Sequence, residues 1–101
     1  MELLNRVWLG GHVKRDAEAI ETSDGKTVLD FCLVVPASDG KTEVFVDVTA
    51  FGEVSDSVDG YVSCGERMTV TGAIDFRTWT DNNGRWRTSK VVVADSITEE
   101  D

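Results

Sequence analysis

The stretch that decides the fold, "EVFVDVTAFGEVSDSVDGYVSCG" from Glu43 to Gly65, contains two different hydrophobic periods. Its first nine residues alternate between apolar and polar or small side chains, which predicts a strand from Glu43 to Phe51. Its second part has apolar residues at i, i+4, i+7 and i+8, the stripe of a short amphipathic helix that Gly65 closes. These apolar residues are Val54, Val58, Tyr61 and Val62.

Strand patterns flank this stretch on both sides. The first predicted strand covers Val7, Leu9 and Val13, and its Gly10-Gly11 pair indicates a bulge or a sharp bend. The other strands are predicted at Thr27–Val35, at Arg67–Phe76 and at Val91–Ile97, with turns at Asp24-Gly25 and Asp39-Gly40. The order is three strands, a helix and two strands, which is the element order of the OB-fold, a partly open five-stranded barrel.

Length and composition restrict the number of domains, the location and the kind of function that we expect. A chain of 101 residues with 41% hydrophobic and 29% charged residues is typical of one globular all-β domain, predicted here over residues 1–97 with a short acidic end over 98–101. No run approaches the roughly 18 apolar residues of a membrane helix, and a signal-peptide core is missing, so we expect a cytoplasmic protein. One histidine and two cysteines without ligand spacing predict no metal, no cofactor and no enzyme.

The charge is unevenly distributed along the chain. The net charge is -9, yet residues 16–66 alone hold twelve carboxylates against two lysines. Cations return in "TWTDNNGRWRTSK", Thr78 to Lys90, where a predicted hairpin combines tryptophans with arginines. Arginine and tryptophan together offer phosphate neutralisation, base stacking and cation–π contacts. The acidic stretch either confines a bound strand to the basic hairpin or is general solubilising charge.

Three segments resemble bacterial-type single-stranded DNA-binding proteins, a family that also occurs in phages. They are "NRVWLGGHVKRDAE" at Asn5–Glu18, "VFVDVTAFG" at Val44–Gly52 and "GAIDFRTWTDNNG" at Gly72–Gly84. The resemblance covers roughly Asn5 to Ile97. It implies an OB-fold that binds and protects single-stranded DNA without sequence preference, in replication, recombination or repair. It also implies a homo-oligomer, usually a tetramer and otherwise a dimer, in the cytoplasm near the nucleoid or in the host cytoplasm of a phage.

Individual residues carry these expectations. The resemblance implies base stacking by Phe45, Phe51 and Trp79. A core position stays open for Phe45, which alternates with apolar neighbours, and for Phe51 at the strand end. By the same resemblance, two arginines match basic positions of the family. The hairpin adds one tryptophan and three cations as candidate binding residues. The basic matches are Arg6 and Arg77, and the hairpin residues are Trp86, Arg85, Arg87 and Lys90.

The first strand carries a second expectation. In the family this strand commonly pairs with its copy in another subunit, so we favour an oligomer interface for Trp8 over a core or stacking role. His12 is expected to be structural or interfacial.

The departures from the family pattern favour a rival interpretation. Glu53 and Cys64 stand where relatives often carry lysine, Asp75 stands where a basic residue is common, and Ala17 replaces a proline. The family's long tail with an acidic tip has no counterpart after residue 98, which puts recruitment of partners through a tail in doubt. The alternative is an OB-fold protein-interaction or replication-accessory module with little or no nucleic-acid binding.

Overall fold

Six strands and one short helix occur in the part of the chain that the structure, a computed structural model, describes, namely residues 2–21, 24–58 and 62–100. The elements are β1 (Val7–Val13), β2 (Glu18–Glu21), β3 (Thr27–Pro36), β4 (Glu43–Phe51), α1 (Gly52–Val58), β5 (Arg67–Thr80) and β6 (Trp86–Glu100). Over these ranges, no helix combines the length and the apolar character needed to cross a membrane.

Five of the strands form a closed barrel. The sheet order is β1-β5-β6-β4-β3, and a further pairing of β1 with β3 joins its two ends. All pairs are antiparallel except β4 and β6, which run parallel where Val48 lies opposite Val92. The helix α1 follows β4, the third barrel strand in chain order. The predicted fold class, a five-stranded OB-fold barrel with a helix between its third and fourth strands, is confirmed.

The details differ from the predicted elements at β2, at the ends of β5 and β6, and in the helical stripe. The strand β2 was not predicted, because all four of its residues are exposed and it pairs only with β3. The strand β6 is longer than predicted at both ends, and its residues 98–100 pair with β5. In the predicted helical stripe, Val62 is buried but lies beyond the end of α1, and Tyr61 lies outside the described residues.

The barrel interior is filled by alternate residues of the five strands. Leu33, Val48 and Val70 are fully buried at its centre, and Val13 and Met68 are 1% exposed. Aliphatic side chains dominate this core, which is consistent with the period-two pattern of the sequence. Because the interior takes one face of each strand, the other face of each strand is left on the outside of the barrel.

The turn between β3 and β4 is held by Asp39. Its carboxylate accepts the hydroxyl proton of Thr42 at 2.6 Å and the backbone N–H groups of Thr42 and Lys41 at 2.8 Å. These hydrogen bonds, the Thr42 hydroxyl first, lower the pKa of Asp39 to about 2. Gly40 follows at a φ of 71°, which confirms the turn predicted from Asp39-Gly40.

Two glycines allow the backbone of neighbouring strands to approach closely, one where the barrel closes and one at a β-bulge. The strand β1 pairs with β5 as far as His12 and then with β3. A Cβ on Gly11 would lie 2.1 Å from the carbonyl oxygen of Val34 in β3. A Cβ on Gly72, at the β-bulge between β5 and β6, would lie 2.1 Å from the carbonyl oxygen of Val93. A side chain at either position would force the strands apart.

We therefore predict that Gly11→Ala and Gly72→Ala each lower the free energy of unfolding by about 1–3 kcal/mol, the usual cost of overpacking. Gly10→Ala is the matched control, because a Cβ there meets nothing within 4 Å. Urea unfolding followed by circular dichroism measures all three variants. Equal midpoints for Gly11→Ala and Gly10→Ala would show that the close approach does not limit the fold.

Candidate nucleic-acid interface

Two phenylalanines of β4 project from the outer surface of the barrel. Phe45 lies opposite Val34 and Phe51 lies opposite Val28, and directly opposed residues share a face of the sheet. Their side chains are 58% and 53% exposed, respectively. A core position for Phe45 or Phe51 is therefore wrong. The interior is filled by Val48 and by the residues that share its face of β4, which is the face opposite to that of Phe45.

The hairpin formed by β5 and β6 carries a third aromatic residue onto the same outer surface. Trp79 lies opposite Arg87, and Arg77 lies opposite Ser89. Since alternate residues of a strand share a face, Arg77 and Trp79 are neighbours on this surface. Trp79 is 42% exposed, so its indole remains accessible to a ligand.

The tip of this hairpin is fixed by Asp81. Its carboxylate accepts the Nε–H of Arg87 at 2.9 Å and the backbone N–H groups of Asn83 and Arg85 at 2.9 and 3.0 Å. The bond from Arg87 and then the bond from Arg85 lower the pKa of Asp81. The turn therefore holds Arg87 beside Trp79, and it places the exposed residue Arg85 at the tip.

An open groove of about 430 Å³ lies between the hairpin and the strands β3 and β4. Arg77 spans it, with its guanidinium Nη2 3.1 Å from the Oδ1 of Asp30 in β3. Its lining brings one candidate aromatic residue and one candidate cation to the same place. The lining residues include Phe51, Arg77, Thr49, Val93 and Asp75.

A second aromatic and cationic position lies at the other end of β4. The Nζ of Lys14 is 4.1 Å from the centroid of the Phe45 ring, within the range of a cation–π contact. Lys14 is not among the site residues predicted from the sequence. The positive balance of residues 1–15 was the available signal, but only the pairing of β1 with β3 brings Lys14 near Phe45.

Trp86 and Lys90 lie on the opposite face of the hairpin. Trp86 is opposite Thr80, and Lys90 is opposite Phe76, so both are out of phase with Trp79. Trp86 is 75% exposed and Phe76 is 67% exposed. The predicted hairpin residues thus form two surfaces rather than one. Phe76 was missed, because its alternation with Ile74 has the pattern of a core strand.

Arg6, Trp8 and His12 lie along β1 and the residue before it. The guanidinium of Arg6 contacts the carboxylate of Asp95, which also accepts the Thr71 hydroxyl proton at 2.8 Å. These two bonds, the one from Arg6 first, lower the pKa of Asp95. Trp8 is 80% exposed, which excludes a core position, and His12 is exposed as well.

Carboxylates are interleaved with the candidate binding residues. Asp47 alternates with Phe45 on β4, and Asp30 and Asp75 line the groove. The acidic stretch is therefore not confined to a separate surface. Within residues 2–21, 24–58 and 62–100, no three His, Cys, Asp or Glu side chains are arranged to hold a metal ion.

The chain is similar to proteins from several bacteria. The model of the single-strand binding protein family matches residues 4–99. A single-stranded DNA-binding protein of Clostridium tetani is 33% identical over 93% of this chain and 68% of its own length. A protein of the same name from Wolinella succinogenes is 26% identical, over 94% of this chain and 63% of its own length.

A third relative covers a smaller share of both chains. Single-stranded DNA-binding protein 1 of Chlorobaculum tepidum is 30% identical over 78% of this chain and 53% of its own length. The matched region thus spans about half to two thirds of these relatives. The family match, by contrast, extends over nearly all of this sequence and includes every strand of the barrel. The chain belongs to the single-strand binding protein family.

Proposed function

We propose that this protein binds single-stranded DNA without sequence preference, through base stacking on Phe45, Phe51 and Trp79. The observation that carries the proposal is the open groove, which has Phe51 and Arg77 in its lining and Trp79 next to Arg77 on the same surface. Every nucleobase has a π face, so an exposed ring accepts any base. Stacking contributes about 1–3 kcal/mol per base, a figure measured on this class of OB-folds.

The cations extend the proposed contact along the hairpin. Arg77 and Arg87 lie beside Trp79 and are placed to neutralise phosphates, and Arg85 at the tip and Arg6 beyond the groove add to them. Trp86 and Lys90 lie on the other face of the hairpin, where Lys90 lines a pocket of about 240 Å³ together with Phe45. A strand that contacts both tryptophans therefore passes around the hairpin. We place the principal contact on the Trp79 face, because the groove and Phe51 lie on that side.

A protein-interaction module is the less supported alternative. The net charge of -9 and the interleaved carboxylates favour it. Membership in a family whose relatives are named for binding single-stranded DNA favours nucleic-acid binding. So do five aromatic side chains, besides Trp8, that are exposed on the outer barrel surface and the hairpin. They are Phe45, Phe51, Phe76, Trp79 and Trp86.

The cellular role follows from binding without sequence preference. We propose that the protein protects transient single strands in replication, recombination or repair, in the cytoplasm at the nucleoid or in the host cytoplasm of a phage. Binding by stacking and ion pairing needs no cofactor and no catalytic group.

We also propose that the protein forms a homo-oligomer through β1. From Val7 to Gly11 this strand pairs with β5 on one side, and its pairing with β3 begins only at His12. The other edge presents backbone groups to which a second β1 is able to add. Trp8, 80% exposed on this strand, would be covered in the oligomer. A tetramer is favoured, and a dimer is the simpler assembly.

The stacking proposal predicts that Trp79→Ala weakens the binding of a labelled oligonucleotide of about eight nucleotides, a length within the site size of one OB-fold. The expected loss is roughly five- to a hundredfold and equal for thymidine and mixed sequences, because stacking does not distinguish bases. Fluorescence anisotropy measures it. Trp8→Ala is the matched control and should change the affinity for this short strand little; equal losses for both variants would contradict the assignment.

The oligomer proposal predicts a mass above that of the monomer in light scattering at micromolar concentrations. Trp8→Glu should shift the mass towards the monomer, since a carboxylate buried at the interface has no partner. Trp86→Glu, a charge added on the distal hairpin, is the control and should leave the mass unchanged. A monomer of the native chain at every concentration would refute the proposal.

A further inference from the structure

Three of the candidate phosphate-binding arginines already contact carboxylates of the same chain. Arg77 contacts Asp30 at 3.1 Å, and the Nε of Arg87 lies 2.9 Å from the Oδ2 of Asp81. The third ion pair joins Arg6 and Asp95. The arginine side chains are 42–60% exposed, so each guanidinium is accessible to solvent and to a ligand.

A carboxylate and a phosphate compete for the same donors. Both accept the paired N–H groups of a guanidinium with similar geometry. Asp30 accepts from Nη2 of Arg77, so a phosphate that uses this N–H must displace the carboxylate, whereas a phosphate on the remaining N–H groups lies beside it. In both cases the carboxylate stays within a side-chain length of the bound strand. Where phosphate replaces carboxylate as the partner of the arginine, the number of ion pairs does not change. The nearby carboxylate then repels the bound phosphate.

We propose that Asp30, Asp81 and Asp95 are built-in competitors for the DNA phosphates, which lower the affinity of the interface and make it less sensitive to salt. This inference rests on the proposed function. It differs from a general effect of the acidic charge, because it assigns the effect to three carboxylates in direct contact with three arginines.

The fold keeps two of these competitors in place. Asp81 is held by the backbone N–H groups of the hairpin turn, and Asp95 accepts the hydroxyl proton of Thr71. Neither carboxylate depends on its arginine for its position. Asp30 lies on β3 opposite Thr49, where the barrel surface fixes its backbone. Asp81 and Asp95 are thus held independently of their arginines, whereas only the backbone position of Asp30 is fixed by the sheet.

The salt dependence follows from the exchange. For a single strand, log K falls with log salt with a slope of about -0.7 per neutralised phosphate, because bound counterions are released. Salt also weakens the intramolecular ion pair that must be broken, which favours binding. The two effects oppose each other at each paired arginine. The native slope should therefore be less negative than the number of phosphate contacts implies.

Asp30→Asn is the sharpest test, because Asp30 holds no turn and asparagine keeps its shape. The affinity for a thymidine oligonucleotide at low salt should rise about two- to fivefold, the range expected from a surface ion pair. The salt slope should become more negative. Glu21→Gln, which removes an exposed carboxylate on β2, is the matched control for the general field and should change both quantities less.

A double-mutant cycle isolates the local pair. Arg77→Gln should weaken binding more in the Asp30→Asn background than in the native chain, since only there is the guanidinium unmasked. Asp95→Asn provides a second, independent variant with the same expected rise in affinity. Thermal unfolding followed by circular dichroism verifies that each variant is folded.

The outcomes separate the inference from the function on which it rests. Equal effects of Asp30→Asn and Glu21→Gln would overturn the competition, and so would a loss of affinity in Asp30→Asn, which would show that the carboxylate positions Arg77 for phosphate. Both results leave single-strand binding intact. If neither the native chain nor the double variant Asp30→Asn, Asp95→Asn binds the oligonucleotide at low salt, the proposed function fails and the inference fails with it.

Discussion

The close approach of β1 to β3 at Gly11 is the constraint on which the rest of the structure depends. It closes the barrel, and it takes β1 away from β5 and onto β3. Beyond Ile74 and Val92, where the pairing of β6 with β4 ends, β5 and β6 continue as a two-stranded hairpin. On this hairpin Arg77 contacts Asp30 of β3, and both residues line the groove. The candidate interface is therefore built on strands of the closed barrel and on the hairpin that extends from it.

The electrostatics of the interface depend on local contacts more than on net charge. A total of -9 opposes the approach of a polyanion at long range, but this field is screened within about a Debye length. At short range, Arg77 and Arg87 are held beside Trp79, each by a carboxylate that also competes with phosphate. Stacking does not depend on salt in this way. The aromatic residues would thus supply the larger share of affinity at high ionic strength.

Much of the fold could be predicted from the sequence, because a change of hydrophobic period is a local signal. The alternation from Glu43 to Phe51 and the break after Gly52 placed a strand before a helix. The strand β2 could not be predicted, since its residues bury no face and so leave no period. The length of β6 was missed for the same reason, because its first residues lie outside the barrel.

The candidate site was predictable in composition but not in arrangement. Alternation along the strand predicted Trp86 on the opposite side from Arg87. Only the register of β5 with β6 shows that Trp79 lies on the same side as Arg87. Lys14 and the carboxylate partners of the arginines depend on contacts between residues far apart in sequence. Such contacts arise from barrel curvature, which leaves no mark on local periodicity.

Binding of single strands by base stacking is tested by quenching of the intrinsic tryptophan fluorescence of the native chain by a poly-thymidine oligonucleotide, compared with a duplex of equal length at several salt concentrations. We expect strong quenching by the single strand, a weak response to the duplex and a negative but shallow dependence on salt. An absence of quenching by the single strand even at low salt would show that the exposed aromatic residues do not stack on bases, and it would contradict the account.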